Sequence, residues 1–189
     1  VAALQNMRKS EARNVLVIGD LHEPFCLDGY LDWCLEQYET FNCNQVIFIG
    51  DIIDSNGFSY HELDPDGMSA GDELSLAIKK IKKWYDAFPV ADIMIGNGDR
   101  MASRKSMTGG IPAAWIKSYN DVLGTPNWNW VESVTYDDIL YEHGEGGQAQ
   151  TKAKNNLMSS VCGHTHTEAY CKWFVGKRYR IFGMQVGCG

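Results

Sequence analysis

The sequence predicts an α/β fold of two packed β-sheets flanked by helices. Buried strands and amphipathic helices alternate in the first half of the chain, and tightly joined strand pairs follow in the second half. The continuous apolar run at residues 45–49, which ends in Gly50-Asp51, is typical of a strand covered on both faces. Because neither a repeat nor a linker interrupts the 189 residues, we expect a single domain over 1–189.

The elements of the first half follow from their hydrophobic spacing. Polar residues 1–12 are expected to be frayed or helical, and Asp28 is expected to cap a helix whose apolar residues share one face. The segment after the second strand is rich in Asp, Gly, Ser and Pro, which predicts an excursion loop that shapes a substrate site. The predicted strands are 14–18, 45–49 and 91–95, the loop is 55–71, and the amphipathic helix is 72–88.

The second half begins with a predicted loop that carries Arg100 and Arg104. A proline suits the first position of the next helix, which we expect to span 112–123. Trp128 and Trp130 are expected to be packing residues in a linking segment. The remaining elements are strands at 133–136, 139–142 and 160–162, a loop over 144–156 that runs into a short helix, and a hairpin of 168–175 with 178–186.

Composition and charge exclude several classes of partner. The net charge of −7 disfavours strong nonspecific binding to duplex DNA, which depends on neutralising phosphates. No apolar run approaches the roughly 20 residues of a membrane span, so no membrane partner is expected. The six cysteines lack a CxxC pair and are expected to be reduced thiols of a cytoplasmic protein. Since the chain starts without Met, we expect one or both ends to be trimmed.

Potential metal ligands follow several predicted strands. A single histidine at a strand end is usually structural, but four of the five histidines lie at such points, interleaved with carboxylates. Alternate residues of an extended segment face the same side, so each Asp-x-His or His-x-His pair can serve one cleft. Imidazoles with carboxylates suit Mn, Fe or Zn better than Ca or Mg. The strand ends carry Asp20 and His22, Asp51 and Asp54, Asn97 and Asp99, His143, and His164 with His166.

These motifs resemble those of the calcineurin-like metallophosphoesterases. The resemblance implies a four-layer α/β/β/α sandwich that hydrolyses phosphoester bonds at a dinuclear metal site. It places Asp20, His22 and His166 on one ion, and Asn97, His143 and His164 on the other. It also makes Asp51 the bridging ligand. The matching motifs are Gly19-Asp20-Leu21-His22, Gly50-Asp51-Ile52-Ile53-Asp54, Gly96-Asn97-Gly98-Asp99, His143-Gly144 and Gly163-His164-Thr165-His166.

The expected cofactors are two divalent transition metal ions, with manganese favoured and iron, zinc or nickel as alternatives. A metal-activated hydroxide is then the nucleophile. We favour a phosphodiesterase or nuclease-type hydrolase acting on a nucleotide or nucleic-acid fragment. The protein phosphatase branch is less favoured, because its second motif continues with Arg-Gly where this chain has Ser55-Asn56. The chain also looks similar to small phosphoesterases of tailed bacteriophages, which implies the host cytoplasm.

Gly98 departs from the family pattern. The family usually has a histidine there, beside the leaving group and supported by the carboxylate equivalent to Asp54. General acid help is worth about 10²–10⁴ in rate, so its loss should slow the release of poor leaving groups. Three interpretations stay open: a natural enzyme for good leaving groups, an engineered inactivation, or a pseudoenzyme that binds phosphate without turnover. If an acid has been lost, Gly98→His should raise activity.

Residues outside the metal motifs are candidates for catalysis and substrate binding. Besides Asn97 and Asp54, we expect Arg100 to act in catalysis and, with Arg104, to contact phosphate oxygens. An ordinary surface role is the alternative for both arginines. His61 in the excursion loop is a candidate proton donor, although a surface role is favoured for it. Trp115 is expected to pack in the interior, with stacking on a base as the alternative.

Overall fold

The structure is a computed structural model that describes residues 13–189, so the predicted frayed or helical segment 1–12 lies outside the described residues. Two β-sheets are flanked by helices, which confirms the predicted fold class. The strands are β1 (Val15–Ile18), β2 (Gln45–Phe48), β3 (Ala91–Met94), β4 (Trp128–Val131), β5 (Ser133–Tyr136), β6 (Ile139–Glu142), β7 (Ser159–Cys162), β8 (Tyr170–Val175) and β9 (Arg180–Gln185). The helices are α1 (Tyr30–Thr40), α2 (Ala70–Ala87), α3 (Met101–Thr108), α4 (Tyr119–Leu123) and α5 (Ala149–Asn156).

The first sheet is entirely parallel, in the order β1-β2-β3-β4. Its central strands are apolar because they are covered on both faces, and Ile47, Phe48 and Ile93 are fully buried. Parallel strands end at the same edge of a sheet, where open α/β folds place their ligands. The loops that follow β1, β2 and β3 therefore meet at one edge, and they carry residues 20–22, 51–54 and 97–99.

The second sheet is mixed, in the order β5-β6-β7-β9-β8. Two antiparallel hairpins, β5-β6 and β8-β9, flank a central part in which β6, β7 and β9 run parallel. Because β6 and β7 are parallel neighbours, their carboxyl ends also share an edge. His143 follows β6 and His164 follows β7, so this sheet presents its histidines together.

Two apolar clusters hold the layers together. One lies between the first sheet and helices α1 and α2, and it includes Phe48, Trp84 and Trp128. The other lies between the sheets, where Ile49 of the first sheet's edge packs near Tyr141 of the second. Helix α5 covers the outer face of the second sheet along β7 and β9. The order of layers is therefore helix, sheet, sheet, helix.

The region from residue 100 to 131 differs from the prediction. The predicted loop after β3 contains helix α3, and the predicted helix over 112–123 is a 3₁₀ turn at Ala113–Trp115 followed by the short helix α4. The predicted linking segment around Trp128 is strand β4, although Trp128 does pack in the core at 2 % exposure. Trp115 is 79 % exposed, so the prediction of a buried packing role is wrong.

Two helices also begin at other residues than expected. Gly29, in the left-handed conformation with φ 87°, precedes α1, so Asp28 is not its N-cap. Helix α2 begins at Ala70, because the Ser69 side chain accepts a hydrogen bond from the Asp72 N–H and caps the helix there. Between residues 13 and 189, no helix combines the length and apolar character needed to cross a membrane.

Candidate metal centre

The structure brings the predicted metal ligands together in two groups that share Asp51. The first group consists of Asp20, His22, Asp51 and His166, and the second of Asp51, His143 and His164. Within each group, one ligand atom from every residue lies within 4.8 Å of the others. Asn97 joins the second group, since its Oδ1 lies 3.1 Å from His143 Nε2. Both groups combine residues from the edges of both sheets.

Three of these residues have left-handed backbone, which for residues other than glycine costs of order 1–3 kcal/mol each. They are His22 with φ 49°, Asp51 with φ 48° and His164 with φ 69°. The loops around them are held by main-chain hydrogen bonds, since the N–H groups of Leu21 and His22 both donate to the Asp51 carbonyl at 3.1 and 2.8 Å. The loops thus turn sharply at the strand ends and direct side chains into one cleft.

Glycines beside the ligands allow close approach of the carboxylates. A Cβ on Gly163 would collide with Asp20 Oδ1, and one on Gly96 would collide with Asp51 Oδ1. The absence of a side chain at these two positions leaves the room that the aspartates occupy. This explains the presence of glycine at these two positions.

The histidine rings are oriented by groups outside the ligand set. His143 Nδ1 lies 3.0 Å from the Ile49 carbonyl, so it donates there and Nε2 is the nitrogen that faces the centre. That Nε2 faces His164 Nδ1 at 3.2 Å. In the first group, His22 Nε2 faces His166 Nε2 at 2.9 Å. Pairs of ring nitrogens at such short separation are the arrangement expected of two ligands on one cation.

The carboxylates lie in an electrostatic environment that favours a bound cation. Asp20 Oδ1 is buried and has no hydrogen-bond partner within the described residues, and burial raises the pKa of Asp20 to about 7. For Asp51, burial opposes ionisation, but the hydrogen bond and charge of His143 outweigh it and lower the pKa. The same contact overcomes the burial of His143 and raises its pKa to about 9. Without a metal, a proton on His143 therefore balances Asp51.

The pKa values of the two exposed histidines, His164 and His166, shift in the opposite direction to that of His143. Burial and the positive charge of His143 lower the pKa of His164, and burial and the charge of His22 lower that of His166. Both rings are therefore neutral near pH 7, which is the form that binds a metal.

Comparisons with known proteins show a distant structural likeness. No protein-family model matches the sequence, and no curated protein matches it. Among solved structures, the nuclease MPE of Pseudomonas putida is similar, with a TM-score of 0.43 and 14 % sequence identity. The similarity covers 93 % of this chain and 79 % of that chain. At this distance, the function has to be argued from the geometry of the site.

Asp99 has a role that the sequence did not reveal. Its carboxylate is fully buried and accepts main-chain N–H groups from two loops: Ile52 at 3.0 Å and Ile53 at 3.3 Å on one oxygen, and Gly96 at 2.9 Å on the other. It thereby joins the loop that carries Asp51 to the loop that carries Asn97. Burial raises the pKa of Asp99 to about 7.

The predicted substrate contacts have other partners. Arg100 binds two carboxylates, Glu145 at 2.5 Å through Nη1 and Glu132 through Nη2, so part of its guanidinium is already engaged within the protein. Arg104 lies over the ring of Tyr60, with 5.4 Å from Cζ to the ring centroid. The partners of Arg100 come from distant parts of the chain, and no short motif connects them.

His61 lies outside both ligand groups. It is exposed, and its backbone N–H donates to Ser59 Oγ at 3.2 Å. This position agrees with the favoured interpretation of His61 as a surface residue of the excursion loop.

Proposed function

We propose that this protein is a metal-dependent phosphoester hydrolase of the calcineurin-like metallophosphoesterase kind, and most specifically a phosphodiesterase. The observation that carries the proposal is that two Asp/His groups share one carboxylate, Asp51. The residues fit bound cations, because Asp20 Oδ1 is buried without a hydrogen-bond partner among residues 13–189. The facing ring nitrogens of His22 and His166 fit the same conclusion.

Each proposed ion has a mixed set of nitrogen and oxygen donors. We assign Asp20, His22, His166 and Asp51 to one ion, and Asn97, His143, His164 and Asp51 to the other. Imidazole with carboxylate and amide oxygen suits divalent manganese, iron, zinc or nickel, and we favour manganese. The assigned ligands include two carboxylates, Asp20 and Asp51, so a centre with two divalent ions would keep a net positive charge that attracts a phosphoester.

The protein groups would act by binding and orienting. Divalent ions bound by these two groups would supply Lewis acidity to the phosphoryl oxygens and would make water nucleophilic near neutral pH. Asp51 fixes the spacing between the two halves of the centre, and the Ile49 carbonyl fixes the ring of His143. Asn97 contributes a neutral oxygen, which adds a ligand without reducing the positive charge.

The lack of a side chain at residue 98 restricts the substrate. Gly98 cannot give a proton to the leaving oxygen, so water must do so or the leaving group must depart as an anion. We therefore propose substrates whose leaving group is acidic, such as aryl phosphodiesters, where the missing help of about 10²–10⁴ in rate matters least.

A colorimetric assay tests this function. The protein, stripped with EDTA and reloaded with Mn²⁺, should hydrolyse bis-p-nitrophenyl phosphate, and Asp51→Asn should reduce the rate more than about 100-fold, beyond the usual effect of an outer group. His61→Gln is the matched control and should retain the rate. Turnover that does not depend on metal would contradict the proposal. Tight binding of inorganic phosphate without turnover would instead favour the pseudoenzyme.

A further inference from the structure

We infer that Asp54 is a positioning residue for His22, fixing that imidazole for metal binding, instead of supporting a general acid beside the leaving group. The inference rests on the metal centre of the proposed function. Asp54 Oδ1 lies 2.9 Å from His22 Nδ1. Within residues 13–189, this is the one side-chain hydrogen bond that Asp54 receives.

The contact determines which nitrogen of His22 faces the centre. A ring N–H donates and a carboxylate oxygen accepts, so this contact places an N–H on His22 Nδ1, directed at Asp54. The lone pair of Nε2 then points to the centre, where Nε2 lies 2.9 Å from His166 Nε2 and 3.7 Å from Asp51 Oδ2. A carboxylate that orients a metal-binding imidazole in this way also increases the basicity of the ligand.

The alternative role for Asp54, which is to support a general acid, lacks a partner side chain at residue 98. Gly98, the position from which a general acid would reach it, has no side chain. Its surroundings also leave no room for one, because a Cβ there would lie 2.7 Å from the Ile53 carbonyl oxygen and 3.3 Å from that of Asp54. The Asp54 carboxylate is therefore available to His22, which lies on the neighbouring loop.

The left-handed backbone of His22 increases the need for a support. With φ 49°, the residue holds a conformation that is uncommon outside glycine, and its side chain is 21 % exposed. Its main chain is anchored by the N–H bond to the Asp51 carbonyl at 2.8 Å, but the ring is held by Asp54. Loss of Asp54 should therefore release the ring while leaving the loop in place.

The second ligand group provides an internal control. His143 receives the equivalent support from the Ile49 main-chain carbonyl at 3.0 Å, which no side-chain substitution removes. A change at Asp54 should therefore weaken the ion held by His22 and His166, and spare the ion held by His143 and His164. A general structural defect would weaken both.

The test is a calorimetric titration of the metal-free full chain with Mn²⁺ and with Zn²⁺. Asp54→Ala should weaken one of two binding steps by about 10–100-fold, the usual cost of losing an outer partner, and change the other less than about threefold. Asp54→Asn, which keeps an acceptor oxygen without the charge, should have a metal affinity between those of the wild type and Asp54→Ala. Glu36→Ala removes an exposed carboxylate from α1 as a control and should leave both steps unchanged.

A second measurement reports the ring directly. In the Zn²⁺-loaded protein, nitrogen NMR should show His22 protonated at Nδ1 in the wild type, and Asp54→Ala should lose the slowly exchanging Nδ1–H signal. Equal weakening of both steps, or an unchanged His22 signal, overturns the inference. Absence of metal binding overturns it together with the proposed function. Selective weakening in a protein that hydrolyses no phosphoester overturns the function alone.

Discussion

Gly98 is closely surrounded by atoms of the neighbouring loop. Its N–H donates to Asp51 Oδ1 at 2.7 Å, and the place of a Cβ is filled by the Ile53 carbonyl. The backbone of this loop is therefore built around glycine, which disfavours a histidine removed by engineering. It also changes the expectation that a histidine here restores a lost acid.

We predict that Gly98→His and Gly98→Ala both weaken metal binding and lower the free energy of unfolding. Overpacking at a tight position costs about 1–3 kcal/mol, and here it also displaces the donor of Asp51. Urea melts and Mn²⁺ titrations of both variants measure the effect. Gly109→Ala, at an exposed glycine with looser contacts, is the control. A more active Gly98→His variant with unchanged stability would restore the lost-acid interpretation.

The second prediction concerns protons released on metal binding. Despite burial, the contact with Asp51 raises the pKa of His143 to about 9, and the ring must be neutral to bind a metal, so binding of an ion at the second group below pH 9 should release its proton. Asp20, with a pKa of about 7, adds another release below pH 7. Apparent metal affinity should therefore rise with pH up to about 9, and most steeply below 7.

Calorimetry in two buffers of different ionisation enthalpy counts these protons. More protons should be released at pH 6 than at pH 8, and fewest above pH 9. A pH-independent affinity between 6 and 9 would show that neither His143 nor Asp20 is a ligand.

The residues that meet at the candidate metal centre were predictable from the sequence, but the groups that support them were not. Each ligand lies in a short motif such as Asp20-Leu21-His22, where residue type and spacing suffice. The bond from His22 to Asp54 joins residues 32 positions apart, and the pair of Arg100 with Glu145 joins residues 45 apart. Such contacts depend on how the loops meet, which local patterns do not encode.

At the scale of helices and strands, the sequence predictions were wrong where an element buries few of its residues. In α3 only Met101 and Ser106 are buried, so the segment lacks the apolar face that predicts a helix. Strand β4 pairs with β3 alone, and its residues beyond Trp128 are exposed or half-buried, which resembles a linker. By contrast, β2 and α2 have strong periodic patterns and were predicted.

The third prediction concerns Glu73 of helix α2, which supports the loop that follows Asp54. This buried carboxylate accepts the N–H groups of Asn56 at 2.9 Å and Gly57 at 2.6 Å, just after Asp54. Glu73→Ala should lower the free energy of unfolding by about 1–3 kcal/mol, because two donors lose their acceptor. Urea melts measure it, and Glu62→Ala, an exposed acid, is the control. Equal stability of both variants would contradict the role.

At the scale of the whole molecule, the proposed ions connect the two sheets. The first group joins Asp20 and Asp51 of the first sheet's edge to His166 of the second. Asp51 also joins His143 and His164 across the same gap. Apolar contacts between the sheets, such as those of Ile49 and Tyr141, lie in the interior, so the ions add a connection at the edge.

The fourth prediction is that metal stabilises the protein. Free Mn²⁺ at 100 times its Kd adds about 2.7 kcal/mol per site to the free energy of unfolding. Thermal melts should therefore shift upward with Mn²⁺ and downward with EDTA. The shift should shrink strongly in Asp51→Asn, which removes the shared ligand. A melt unaffected by metal in the wild type would argue against bound ions.

The left-handed backbone at His22, Asp51 and His164 has a consequence for the selection of variants with higher thermal stability. Asparagine adopts that conformation more readily than histidine does. In the metal-free chain, His164→Asn should therefore melt at the same temperature or higher, while Mn²⁺ binding weakens. A screen for thermal stability alone would favour such substitutions, and the selected variants would have weakened metal binding.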